Sequence, residues 1–183
     1  MKFGAKYVKY ELNDDQLKLI EHHNNDDDQS TNLDNFSSRS KLLDDPKLFQ
    51  IIWDIGSEFN RLEEKGGWKL DIKGLEPIEL VNSSSQDFSS EWMLDNSRVD
   101  SFNVIPPDMV RKISAFIFLN DEYDGGEFDI ELNGPSHEIR YKTLNKTKGS
   151  LILFQSDFWY RIKPIKSGNL KYLRTSFIGP SYK

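Results

Sequence analysis

Arg111-Lys-Ile-Ser-Ala-Phe-Ile-Phe-Leu-Asn-Asp-Glu-Tyr-Asp-Gly-Gly-Glu-Phe128 decides the fold. Ile113 to Leu119 is a run of β-branched and aromatic residues, which predicts a buried strand. An acidic turn and Gly125-Gly126 follow, then a second strand from Glu127 to Leu132. Two further strands are predicted at Ser150 to Gln155 and Tyr172 to Ile178, with Phe158-Trp-Tyr-Arg-Ile-Lys-Pro-Ile165 between them. The run Phe116-Ile-Phe-Leu119 is apolar on both sides, so both faces of its sheet should be covered. Ile113, Phe116, Phe118, Leu151, Leu153, Trp159 and Phe177 are the expected core.

Working outward, the chain of 183 residues is long enough for one domain with a sizeable core, and 13% aromatic content can fill it. A net charge of −6 argues against a general nucleic-acid binder, which needs a basic field to displace counterions. Arg161, Lys163, Lys166, Lys171 and Arg174 form the one local basic cluster, and solvated strand edges explain it more simply. Without cysteine there are no disulfides, thiolate metal sites or thiol nucleophiles. No stretch reads as a signal peptide or a membrane span. These features predict a soluble protein, kept in a cytoplasm or packed into an assembly there.

Upstream, Lys2 to Tyr10 predicts an edge strand. Asn13 with Gln16 has the spacing of a capping box and opens a short helix ending near His23. Adjacent helical residues point about 100° apart, so His22 and His23 are expected not to converge on one ion. Asn24 to Ser40 is too polar to bury and predicts a loop. Pro46 to Leu62 is the strongest helix, with Leu48, Phe49, Ile52, Ile55 and Phe59 at helical spacing. Trp68 to Ile72 and Glu76 to Val81 predict strands, and Asn82 to Ser90 a polar loop. Glu138 to Lys142 alternates and extends the sheet. Asp121, Glu122 and Asp124 lack calcium-loop spacing and predict a solvated turn.

Several of these segments together resemble a known family. Arg111 to Asp121, the Gly125-Gly-Glu-Phe128 turn, Lys148-Gly-Ser-Leu-Ile-Leu-Phe-Gln-Ser156, Arg161-Ile-Lys-Pro-Ile-Lys-Ser-Gly168 and the closing aromatic strand look like the iron(II)/2-oxoglutarate-dependent dioxygenases. The prolyl-4-hydroxylase-like branch, as found in bacteria and tailed phages, is the most similar. The resemblance runs from about Leu48 to Pro180, and it rests on the order and spacing of the segments taken together. It implies an α+β, mainly β fold: a double-stranded β-helix, or jelly roll, with N-terminal buttressing helices. Residues 48–183 would form the jelly-roll region, and residues 1–47 a strand, a helix and a polar loop, all in a single domain.

The family holds iron with two histidines and a carboxylate. The matching positions here are Met93, Asp95 and Tyr160, so both imidazoles are replaced. A thioether is a soft, weak donor, and a neutral phenol is a poor ligand for iron(II). Of the three histidines, His22 and His23 lie far upstream and His137 lies beside a turn. No metal and no cofactor are therefore expected. For the distal carboxylate of 2-oxoglutarate, the resemblance implies a vestigial site at Lys171, which should share a strand face with Phe177. Arg174 is the rival.

Two functions follow from this pattern. One is a catalytically degenerate dioxygenase fold kept as a structural or assembly protein of a phage virion, with protein partners in a symmetric ring. Its expected contact surfaces are the loops at Asn24 to Ser40 and Asn82 to Ser90, and the C-terminal strand. The other is an active iron(II)/2-oxoglutarate hydroxylase of a peptidyl or small-molecule substrate. A small-ligand binder anchored by Lys171 or Arg174 is a weaker third. Neither a membrane nor nucleic acid is an expected partner.

Overall fold

The computed structural model describes residues 5–24, 39–84, 91–97, 105–134 and 136–181. Strand β1 (Tyr7–Glu11) leads into helix α1 (Asp14–Asn24). The capping box forms at this junction: Asn13 Oδ1 accepts from Gln16 N at 2.9 Å, and Gln16 Oε1 accepts from Asn13 N at 3.0 Å. Strand β2 (Arg39–Leu43) precedes helix α2 (Pro46–Arg61), whose N-cap is Asp45. Short β3 (Gly74–Leu75), β4 (Ile78–Ser84) and β5 (Met93–Leu94) follow, then a 3₁₀ turn at Asp95–Ser97. The remaining strands are β6 (Met109–Phe118), β7 (Tyr123–Gly125), β8 (Phe128–Glu131), β9 (Tyr141–Leu144), β10 (Ser150–Gln155), β11 (Trp159–Ile162) and β12 (Ile165–Pro180).

These strands build two antiparallel sheets. The major sheet has the order β1-β10-β6-β12-β4-β2, with β3 and β7 pairing onto β12, and the minor sheet the order β5-β11-β8-β9. Period-2 alternation explains the doubly apolar strands. Phe116, Phe118, Ile152, Phe154, Leu170 and Tyr172 face the minor sheet and meet Phe128, Ile130, Tyr160 and Ile162 there. Ile113, Ala115, Ile117, Leu151, Leu153, Leu173 and Phe177 face the other way, against Leu48, Ile52, Ile55 and Phe59 of α2 and Ile20 of α1. The fold is mainly β, a jelly roll with its helices on one face. Among the described residues no helix is long and apolar enough to cross a membrane.

Several expectations are corrected. Trp159 is 41% exposed, because Tyr160 and Ile162 take the inward positions of β11. Phe49 is 38% exposed: Leu48, Ile52, Ile55 and Phe59 form the buried stripe, and Phe49 lies one helical step off it. Residues 68–72 are not a strand. Lys69 has a left-handed φ of 53°, and Asn60 takes both the N–H and the carbonyl of Leu70, each at 2.9 Å. Trp68, Leu70 and Ile72 still pack on the core. Asn82 to Ser84 belong to β4, Arg39 and Ser40 to β2, and the acidic turn contains β7. The rest of the two predicted polar loops, 25–38 and 85–90, lies outside the described residues. The C-terminal strand β12 runs between β6 and β4, with Lys166 to Asn169 exposed near its start.

Gly56 lets α2 approach the sheet closely. A Cβ built there would lie 2.1 Å from Phe177 Cζ. Gly56→Ala should therefore destabilise by about 1–3 kcal/mol through overpacking, although alanine is the better helix former. Urea unfolding checks this, and a neutral or stabilising result would refute the close approach.

Candidate functional site

Asp95 begins the 3₁₀ turn after β5, and Asn96 N fastens that turn to Ser156 O at 3.0 Å. The β5–β11 register sets Met93 directly opposite Tyr160. The three positions singled out in the sequence, Met93, Asp95 and Tyr160, thus come together at one end of the barrel. Asp95 is buried and well supplied with donors. Its Oδ2 accepts from the Ser114 hydroxyl at 2.6 Å and the Ser176 hydroxyl at 2.9 Å. Its Oδ1 accepts from the Tyr160 hydroxyl at 3.4 Å.

A second layer holds this carboxylate in place. Arg111 Nη1 donates to the Asp95 carbonyl at 3.2 Å, while its Nε and Nη2 grip Glu76 at 2.7 and 2.8 Å. Arg111, Glu76, Ser114 and Ser176 were not anticipated as site residues. Ser114 did carry a signal, because a hydroxyl inside a buried apolar strand must find a partner. Arg111 carried none, since its partner is 35 residues away in the chain.

The space beneath Asp95 is packed with rings. Phe116 lies 5.3 Å from both Phe128 and Tyr160 and 5.7 Å from Tyr172, and Phe154 lies 5.2 Å from Tyr160. Tyr160 stacks on Phe128 at 5.6 Å with planes 12° apart. Arg174 shares its strand face with Leu170 and Tyr172, the residues facing the minor sheet. Its guanidinium is taken by Glu79, with Nε–Oε2 at 2.6 Å and Nη2–Oε1 at 3.0 Å. Lys171 does share a face with Leu173 and Phe177, but that face looks toward the helices. Lys171 thus lies on the Phe177 face, as expected, and Arg174 on the face toward the minor sheet.

The donor set does not fit the iron centre that the resemblance implies. One carboxylate with both oxygens hydrogen-bonded, one thioether and one phenol lack the imidazoles iron(II) favours. His137 sits in the β8–β9 turn, where its Nδ1 accepts from Ile139 N at 3.1 Å. Nor do the residues fit 2-oxoglutarate, because the cation facing the interior is already paired with an internal carboxylate.

Other candidates resolve as follows. Arg161 donates to Asp129 at 2.7 Å and lies 4.6 Å over the Trp92 ring and 4.9 Å over Tyr141. Lys163 also lies on Asp129 and Arg174 on Glu79, so three of the five basic residues are paired with carboxylates. A cleft of about 570 Å³ at the β7 end is lined by Asp121, Tyr123, Glu127 and Lys146. The Lys146 ammonium meets the Tyr123 hydroxyl, and burial pushes its pKa down to about 8. His22 and His23 correct the expected divergence: both Nε2 atoms face Asp45 Oδ2, at 3.8 and 3.0 Å.

No protein-family model matches the sequence, and no curated protein matches it. Solved structures do. A prolyl-4-hydroxylase of Pseudomonas putida superposes with a TM-score of 0.65 at 14% identity, over 94% of this chain and 91% of that one. The viral collagen prolyl hydroxylase of Paramecium Bursaria Chlorella virus-1, in its 2OG complex, gives 0.60 at 16% identity over 98% of both chains. An oxidoreductase of the 2OG-Fe(II) oxygenase family from Burkholderia pseudomallei gives 0.58 at 11% identity, over 95% and 84%. Likeness at this level of identity concerns the fold: the chain is built on the double-stranded β-helix of the 2-oxoglutarate–iron(II) oxygenases.

Proposed function

We propose that this protein is a catalytically degenerate form of the 2-oxoglutarate–iron(II) oxygenase fold, kept as a structural or assembly component. A virion of the tailed-phage type is the assembly we favour. One observation carries the reading: the chain's own side chains make the contacts that a metal and a keto acid would need. The Tyr160, Ser114 and Ser176 hydroxyls occupy Asp95. Glu79 occupies Arg174, and five aromatic rings fill the space between them. An interior that the described rings pack from both sheets suits a rigid platform better than a reaction chamber.

The minor-sheet side is where we place the protein partner. Met93, Ile139, Tyr141 and Trp159 are exposed there, while the helices cover the opposite face of the major sheet. Leu42 and Phe49 are exposed elsewhere, but these four share one side, and such a grouping suits a contact surface. A symmetric ring would repeat that contact.

The test is an anaerobic titration with iron(II) and 2-oxoglutarate, following the charge-transfer absorbance of a keto acid chelated to iron. We expect no band, and no rise in Tm from 2-oxoglutarate. A band saturating at one equivalent of iron would overturn the reading and make the protein an active-site-bearing hydroxylase.

A further inference from the structure

Outside the barrel, the end of α1 and the start of α2 bring three metal-competent side chains to one point. We propose that His22, His23 and Asp45 bind one divalent transition-metal ion, with zinc the best chemical match. His22 Nε2 and His23 Nε2 lie 3.8 and 3.0 Å from the same oxygen, Asp45 Oδ2, and the three donor atoms lie within 4.8 Å of one another. Tetrahedral zinc with bonds near 2.0–2.1 Å sets neighbouring donors about 3.3–3.5 Å apart, and the two observed separations straddle that value. The helical divergence of adjacent residues is overcome at the last turn of α1, where the two imidazole centroids lie 3.7 Å apart with planes 42° apart.

The carboxylate is already oriented. Asp45 Oδ1 accepts from Lys47 N at 3.0 Å and Leu48 N at 3.1 Å, capping α2 and leaving Oδ2 for the histidines. Such a support is what a metal-ligating carboxylate requires. His23 is buried and its Nδ1 has no hydrogen-bond partner, so the ring is held from its Nε2 side. A plain ion pair explains His23 and Asp45, but not a second imidazole aimed at the same oxygen. Two nitrogens and one oxygen select zinc, cobalt or nickel over calcium or magnesium. The His22 side chain is 59% exposed, so the fourth position opens to water or to a ligand from another molecule. The ion would clamp together the two helices that cover the major sheet.

The test uses the intact chain, titrated with zinc by calorimetry and with cobalt(II) by visible absorbance, alongside His22→Ala. That variant removes an exposed ligand and leaves the α2 cap and the His23–Asp45 contact in place. We expect one zinc per chain, a higher Tm with zinc, and the intense visible bands of four-coordinate cobalt. His22→Ala should weaken zinc binding at least about tenfold while leaving the metal-free Tm unchanged. No saturable binding, or equal affinity in His22→Ala, would overturn the site. The outcome is independent of the barrel reading, because zinc here produces no keto-acid band.

Discussion

Glu76→Ala should lower the free energy of unfolding by about 3–5 kcal/mol, measured by urea denaturation. Glu76 and Arg111 are both almost wholly buried, and they share a two-point ion pair at 2.7 and 2.8 Å. Removing the carboxylate takes a two-point partner from a buried guanidinium, and breaking a buried pair costs far more than breaking a surface one. The damage should also spread, because Arg111 Nη1 holds the Asp95 carbonyl. The same logic sets a control. Replacing both partners with apolar residues, Glu76→Leu with Arg111→Met, should recover most of the loss, since no unpaired charge remains. A single-variant loss below about 1 kcal/mol would refute a dominant role for the Glu76 pair in holding Arg111.

Phe116→Ala should also cost about 3–5 kcal/mol. Phe116 is fully buried and lies within 6.0 Å of Phe128, Phe154, Tyr160 and Tyr172. Truncation removes a large buried apolar area and leaves a cavity that rings held by two different sheets cannot readily close. Phe49→Ala is the matched control. It deletes the same atoms from the exposed side of α2 and should change stability by well under 1 kcal/mol. Equal effects at the two positions would contradict the packed interior on which the scaffold reading depends.

Much of the architecture was legible in the residues. The α1 capping box, the Pro46 helix, the doubly apolar strand at Ile113 to Leu119 and the strand at Ser150 to Gln155 all depend on neighbours within a few positions. Periodicity and capping chemistry report such neighbours directly. The misreadings were of another kind. Trp68 to Ile72 alternates like a strand, yet the Leu70 N–H and carbonyl both bond the Asn60 side chain. Trp159 looks like core, yet the phase of β11 turns it outward. Strand phase is set by pairing partners, and a shift of one residue exchanges the two faces.

The candidate site divides in the same way. The chain carries no imidazole at Met93 or Tyr160 and has only three histidines to draw on, and composition alone determines that. The order of its strands, and the two-sided covering of the central one, are likewise properties of the residue pattern. Only the tertiary structure decided that Arg174 rather than Lys171 faces the interior and that Glu79 neutralises it. The same holds for the hydroxyls of Ser114, Ser176 and Tyr160 meeting on Asp95, and for His22, His23 and Asp45 sharing one oxygen. Each of these contacts joins residues 19 to 95 positions apart, except within the histidine pair. Local propensity carries no information across such distances. Their geometry comes from strand register and from the docking of helices on the sheet, which the packing of the whole core determines at once.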